Sequence, residues 1–301
     1  MRRVLTILPL VFVAAFRTAC APEPLNVVAT FSLLGDFAKN VGGDRVSVPT
    51  LVGPDSDTHV YTPTPADARK ITDAKLVIVN GLGLEGWLPR LVKSSGGRAV
   101  TVVATKGIAP RKIEAGETLS QDHDAGSADP HAWQSVVNAK TYVANIRDAL
   151  VAADPAGADV YKANAAAYLA KLDALDADVR AAVAKIPPER RAVISTHDAF
   201  GYFAAAYGVK FIAPQGVSTE SEPSARDIAA IITQIRKQKI PAVFLENVSD
   251  PRLMRRMAAE TGVNIGGTLY SDSLTGEKGP APTYIDMVRH NIKALTSALS
   301  S

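Results

Sequence analysis

The stretch from Ala156 to Lys185, AGADVYKANAAAYLAKLDALDADVRAAVAK, decides the architecture. Apolar side chains recur at Tyr161, Ala165, Leu169, Leu172, Leu175, Val179 and Val183, three or four residues apart, with no proline or glycine after Gly157. This spacing predicts one continuous amphipathic helix. At 1.5 Å per residue it would run roughly 45 Å, the length of a two-lobed molecule, and Pro187-Pro188 stops it.

On both sides of this helix, short β-rich runs alternate with amphipathic stretches, a pattern that builds βα units around mostly parallel sheets. Before it, Val27 to Phe31, Val46 to Val52, Leu76 to Asn80 and Ala99 to Val103 read as strands. Ser32 to Asn40, Pro65 to Asp73, Leu84 to Ser94 and Gln134 to Ala152 read as the helices among them. After it, strands are expected at Ala192 to Ser195, Val209 to Ile212, Ala242 to Leu245 and Asn264 to Tyr270. Their helices are expected near Ala199 to Tyr207, Pro223 to Lys239, Pro251 to Thr261 and Tyr284 to Leu299. The fold class is therefore α/β, two similar lobes joined by a rigid helix. The expected division is residues 1–21 as leader, 22–154 as the N-terminal lobe, 155–187 as linker helix and 188–301 as the C-terminal lobe.

Composition supports a packed protein of this kind, since 47% of the 301 residues are hydrophobic and only 21% are charged. Met1-Arg2-Arg3 followed by the apolar run Val4 to Phe16 reads as a signal peptide, so the chain is expected to be exported. That run is too short to span a bilayer comfortably, and no later stretch reaches the required length. Without Arg2, Arg3 and Arg17, the formal charge falls from +3 to zero, and no basic run stands out, which argues against a nucleic-acid partner. The single cysteine, Cys20, excludes an intramolecular disulfide. Thr18-Ala19-Cys20 is similar to the end of a bacterial lipoprotein processing site, but Arg17 stands where an aliphatic residue is expected. Ordinary cleavage near Ala19 or Ala21, and a periplasmic location, are the expectation.

Five histidines occur: His59, His123, His131, His197 and His290. His59 follows the turn-rich Gly53-Pro54-Asp55-Ser56-Asp57-Thr58, His131 sits in Asp129-Pro130-His131-Ala132-Trp133, and His197 ends the run Val193-Ile194-Ser195-Thr196. Each lies at a strand end or helix start, where open α/β sheets hold ligands. Asp272, in Tyr270-Ser271-Asp272-Ser273, would add an anionic oxygen. Taken singly, each has an ordinary structural explanation; together, two from each lobe, they suit a metal ion. Three imidazoles and one carboxylate match the donors and tetrahedral count of Zn²⁺.

These segments resemble the metal-specific solute-binding proteins of ABC importers, the zinc and manganese group (cluster A-I) typified by the TroA-like and ZnuA-like proteins. The resemblance runs from Leu25 to the C-terminus. It is carried by Gly53-Pro54-Asp55 with His59-Val60-Tyr61, by Asp129-Pro130-His131-Ala132-Trp133, and by Ser195-Thr196-His197-Asp198-Ala199-Phe200. Glu220-Ser221-Glu222-Pro223-Ser224 and Gly267-Thr268-Leu269-Tyr270-Ser271-Asp272 complete it. It implies pseudo-symmetric lobes bridged by a long helix, with the metal held between them by His59, His131, His197 and Asp272. It also implies an ABC permease in the inner membrane as partner, and a protein that is not an enzyme. Manganese-handling relatives commonly carry glutamate at the third position, so His197 favours Zn²⁺, with Mn²⁺ or use of both metals as the alternative.

The chain departs from many zinc-specific relatives between Glu114 and Asp129, where a His-rich loop is replaced by acidic residues around His123. A solvated loop is expected there, with docking of a periplasmic zinc chaperone as the sharper alternative. Glu85 and Trp87 resemble family positions near the cleft but read as packing or capping residues. His290 reads as a surface residue, and Glu246 as a possible orienter of a ligating histidine. A monomer is expected. The rival reading, an exported zinc hydrolase, lacks any His-Glu-x-x-His element, and four protein ligands would leave no coordination position open.

Overall fold

A computed structural model describes residues 23–113 and 126–300. The leader, Cys20 and His123 lie outside the described residues. The N-terminal sheet contains β1 (Leu25–Ala29), β2 (Val46–Ser47), β3 (Leu76–Val79) and β4 (Val100–Val103), all parallel and in the order β2-β1-β3-β4. The C-terminal sheet contains β5 (Ala192–Ile194), β6 (Lys210–Ile212), β7 (Ala242–Glu246) and β8 (Asn264–Leu269), in the order β6-β5-β7-β8. The same order recurs four strands later, which is the pseudo-symmetry expected of the two lobes. In each sheet the order reverses beside its first strand, and this crevice at the carboxyl ends is where α/β sheets receive ligands.

The helices are α1 (Ser32–Gly42), α2 (Pro65–Asp73), α3 (Leu88–Ser94), α4 (Val136–Ala153) and the linker α5 (Ala158–Ala184). The C-terminal lobe adds α6 (Gly201–Tyr207), α7 (Ala225–Gln238), α8 (Arg252–Thr261) and α9 (Tyr284–Leu299). Local chemistry sets several boundaries. Thr64 and Asp67 form a capping box ahead of α2, with Pro65 in its first turn, and Ser224 and Asp227 do the same for α7. Gly208 and Gly262 close α6 and α8 in the left-handed conformation.

Two expected boundaries and one expected core position shift for identifiable reasons. The strand expected over Val46 to Val52 is regular only for two residues, because Pro49 has no N–H for the ladder; a single bridge at Thr50 continues the pairing with Ala29. Helix α3 starts at Leu88 rather than Leu84, because Glu85 turns back to bond the preceding loop and Pro89 belongs in a first turn. On α5, Tyr168 is buried and Leu169 only partly so; the buried stripe is Tyr161, Ala165, Tyr168, Leu172, Leu175, Val179 and Val183.

That stripe binds the lobes together. Helix α5 has 27 residues, about 40 Å, and packs on α1 and α4 of one lobe and α9 of the other. One apolar cluster runs through both lobes, from Val27 and Phe37 through Leu172 to Tyr284 and Leu295. Separate clusters cover the outer face of each sheet, under α2 and α3 in one lobe and α7 and α8 in the other. Polar contacts reinforce the junction: Asp36 Oδ2 of α1 accepts the Tyr284 N–H at 3.0 Å and the Tyr168 hydroxyl at 3.2 Å. Leu172→Ala should therefore destabilise the whole chain by about 2–5 kcal/mol, seen as a lower denaturant midpoint in one transition. Loss confined to one lobe would contradict the shared core. Among the described residues, no helix is long and apolar enough to cross a membrane.

Candidate metal centre

The four predicted residues converge. One ligand atom from each of His59, His131, His197 and Asp272 lies within 4.8 Å of every other, and all four residues are buried. His59 comes from the loop after β2, His131 from the segment between β4 and α4, His197 from just after β5 and Asp272 from just after β8. His59 Nε2 is 3.3 Å from His131 Nε2 and 3.3 Å from Asp272 Oδ2. Asp272 Oδ2 is 3.1 Å from His197 Nε2, and Oδ1 is 3.6 Å from His131 Nε2. A tetrahedral ion with bonds of about 2.0–2.1 Å separates its ligands by roughly 3.3–3.4 Å, so these four distances fit such a centre.

The electrostatics fit as well. Both Asp272 oxygens are buried and receive no hydroxyl or amide hydrogen bond; only imidazole nitrogens face them. Such an orphaned buried carboxylate is costly unless a cation, proton or metal, sits beside it. Without metal, protons play that part. Burial works against charge on His131, but Asp272 and then Asp129 overcome it and push its pKa up to about 9. Burial likewise opposes charge on His197, and Glu246 and Asp272 reverse it, holding the pKa well above the usual histidine value. Burial favours neutral Asp272, yet His197 and His131 hold it well below the usual carboxylate range.

Two carboxylates orient the imidazoles. Asp129 Oδ1 lies 2.9 Å from His131 Nδ1 and accepts the His131 backbone N–H at 2.9 Å, while Arg111 Nη1 stands 3.2 Å from Asp129 Oδ2. Glu246 Oε2 lies 2.6 Å from His197 Nδ1, and Oε1 accepts the N–H groups of Thr196 and His197 at 2.7 and 3.0 Å. A carboxylate cannot donate, so Nδ1 keeps its proton in both rings, and the Nε2 lone pair is freed toward the centre only when the second ring proton leaves. The role read for Glu246 is matched by this contact. The sequence reading missed the same role for Asp129, although an Asp two residues before a histidine and bonded to its N–H is a recognisable turn. Glu246→Ala should weaken metal binding about 10–100-fold by titration with a competing chelator, while its far-ultraviolet circular dichroism stays that of the parent.

The loops around the site are fixed from both lobes. Asp57 Oδ1 accepts the His59 N–H at 2.8 Å, and its Oδ2 accepts the Thr219 hydroxyl of the other lobe at 2.6 Å. The Ser271 carbonyl accepts Trp133 Nε1 at 2.9 Å and Gln134 Nε2 at 2.8 Å. Asn291 of α9 clamps the backbone of Tyr270, giving to its carbonyl at 2.7 Å and accepting its N–H at 2.9 Å.

Glu85 is buried and accepts from Asn80 N, Gly81 N and the Thr30 hydroxyl, stabilising the turn Gly81-Leu82-Gly83, whose three residues all have positive φ. Its pKa is raised by burial. Trp87 donates to the Thr58 carbonyl at 2.9 Å, beside His59. His290 is half-buried rather than a surface residue: its Nε2 lies 3.0 Å from the Thr268 carbonyl and its ring meets Tyr270 edge-on. Of the four converging residues, only His59 also borders the cavity of about 460 Å³ between Leu82–Gly86, Ser127–Pro130 and Val217–Glu220.

Known proteins are similar to this chain in sequence and fold. The family described as zinc-uptake complex component A, periplasmic (ZnuA), matches residues 27–298. The chain is 39% identical over 273 residues to the iron-binding protein YfeA of Yersinia pestis, covering 91% of this chain and 86% of that one. It is 37% identical over 278 residues to the manganese-binding lipoprotein MntA of Halalkalibacterium halodurans, covering 92% and 89%. The fold superposes on the periplasmic zinc-binding protein TroA of Treponema pallidum with a TM-score of 0.83 and 33% identity, over 93% of this chain and all of that one (100%). A manganese-bound periplasmic metal-binding protein of Candidatus Liberibacter asiaticus matches with a TM-score of 0.80 and 33% identity, covering 92% and 100%. A match over nearly the whole chain, on a parallel-sheet fold with a TroA likeness, places the chain in the ZnuA family of metal-binding substrate-binding proteins of ABC transporters.

Proposed function

We propose that His59, His131, His197 and Asp272 together ligate one divalent metal ion, Zn²⁺ by preference, as cargo for an ABC importer. The observation that carries this reading is the orphaned Asp272 carboxylate, facing three imidazole nitrogens at 3.1–3.6 Å. Three nitrogen donors and near-tetrahedral spacing favour zinc on ligand type and geometry. The bound ion would leave the four-ligand centre at +1, with Asp129 and Glu246 close behind.

Manganese is the second reading. It is supported by the relatives named for manganese and by the way both Asp272 oxygens face the centre, which allows a bidentate carboxylate and a higher coordination number. Metal analysis of protein purified without added metal, followed by Zn²⁺ against Mn²⁺ competition, tests the choice. Zinc retained at one ion per chain and not displaced by excess Mn²⁺ is expected; displacement by equimolar Mn²⁺ would refute the preference.

The lobes belonging to this reading are 22–154 and 188–301, with 155–187 as the linker. The protein would act in the periplasm as a monomer and pass its ion to an inner-membrane permease, with the loop around His123 read as solvated and docking of a zinc chaperone there as the alternative. The core shared through α5 supports release by small rocking or loop movement rather than wide hinge opening.

A further inference from the structure

Between the two oriented histidines lies a contact that neither lobe makes alone. The backbone on either side of residues 114–125 is paired: the Asp129 N–H donates to the Arg111 carbonyl at 2.9 Å, and Lys112 and Ala128 form an antiparallel bridge. This paired stem leads through Pro130 directly into His131. From the opposite lobe, the buried Tyr202 hydroxyl accepts the Arg111 N–H at 2.8 Å and donates to the Asp129 carbonyl at 3.2 Å. The three bonds close a ring through Arg111, Asp129 and Tyr202.

Gly201 supplies the second contact. A methyl group there would stand 2.5 Å from Arg111 Nη1 and 2.6 Å from Asp129 Oδ2, so the Arg111–Asp129 ion pair packs directly on the start of α6. One turn earlier, the same C-terminal segment provides His197. A single stretch, 197–202, thus contributes one converging imidazole and presses on the carboxylate that orients another, from the other lobe.

We infer that Gly201 and Tyr202 are positioning residues for His131, fixing the Asp129 carboxylate against its ring across the lobe interface. This rests on the metal-centre reading above. Separating the lobes would then loosen the His131 support at the same moment as it withdraws His197, so binding responds steeply to small lobe displacement.

The test uses the full chain loaded with Co²⁺, whose visible bands report ligand geometry. Tyr202→Phe removes one hydroxyl; roughly tenfold weaker Co²⁺ and Zn²⁺ affinity, faster metal release to a chelator and displaced visible bands are expected. Gly201→Ala, which pushes on the ion pair itself, should move all three further in the same direction. Tyr207→Phe is the matched control: its hydroxyl accepts from Val136 N and donates to Asp176, away from Asp129. It should lower the melting temperature and leave bands and affinity unchanged. Parent-like bands, affinity and release rate in both Tyr202→Phe and Gly201→Ala would overturn the inference while leaving the metal centre standing, as would equal band shifts in Tyr207→Phe. Parent-like Co²⁺ binding by His131→Ala would overturn both.

Discussion

Asp272→Asn should reduce Zn²⁺ affinity by about 10²–10³-fold, with the variant still folded. A structural four-ligand zinc site is worth about 10–16 kcal/mol in apparent binding free energy, so one ligand accounts for roughly 2.5–4 kcal/mol. Asp272 is the centre's single anion, and its replacement is nearly isosteric, so the loss is one of charge and donor strength rather than of packing. In the metal-free variant, His131 and His197 lose the carboxylate that raises them both and become neutral at lower pH, which relieves rather than strands buried charge. Calorimetric titration measures the affinity, and the melting temperature of the metal-free variant checks the fold. Parent-like affinity would remove Asp272 from the centre.

The second large effect is that of pH. His131, pushed up to about 9, and His197, held well above the usual value, both carry a proton in the metal-free protein at neutral pH. An ion can bind only by displacing these protons, and about two released per ion correspond to roughly a hundredfold change in affinity per pH unit. Affinity should therefore rise from pH 6 toward pH 9, well past the ordinary histidine range, instead of levelling near 6.5. Titration at pH 7 in buffers of different ionisation enthalpy should give a net release of about two protons; no release would contradict the assignment.

The same shift affects stability in the opposite sense. The folded pKa of His131 lies above its unfolded value of about 6.5, so its stabilisation of the metal-free chain is complete below that pH and lost as pH rises through about 9. The metal-free melting temperature should fall over that window. Metal-loaded protein, whose imidazoles hold no such proton, should not follow it, so the stabilisation by metal grows with pH.

How much of this the sequence carried differs by element. Helix α2 begins and ends where its Thr-Pro capping signal and periodicity place it, and α9 does the same, because local chemistry decides both. The α5 stripe was legible as a period, but a period cannot separate Leu169 from Tyr168; the neighbouring Asp36 settles it by accepting the tyrosine hydroxyl. Pro49 hid the real extent of β2, and the back-turning Glu85 that of α3. For the centre, residue types and strand-end positions, two from each lobe, marked four candidates and suggested one metal set. The family resemblance added that they meet between the lobes, since nothing in a linear pattern brings residues 59 and 272 together. The Asp129 carboxylate was present in the sequence reading only as part of the His131 motif, and the Tyr202 contact, 91 positions from Arg111, left no local trace.

The most direct test is an anomalous-scattering map from crystals of the Zn²⁺-loaded protein collected at the zinc edge. One peak per chain is expected, about 2.0–2.2 Å from Nε2 of His59, His131 and His197 and from the Asp272 carboxylate. A zinc peak elsewhere, or one bound by fewer than three of these residues, would contradict the account.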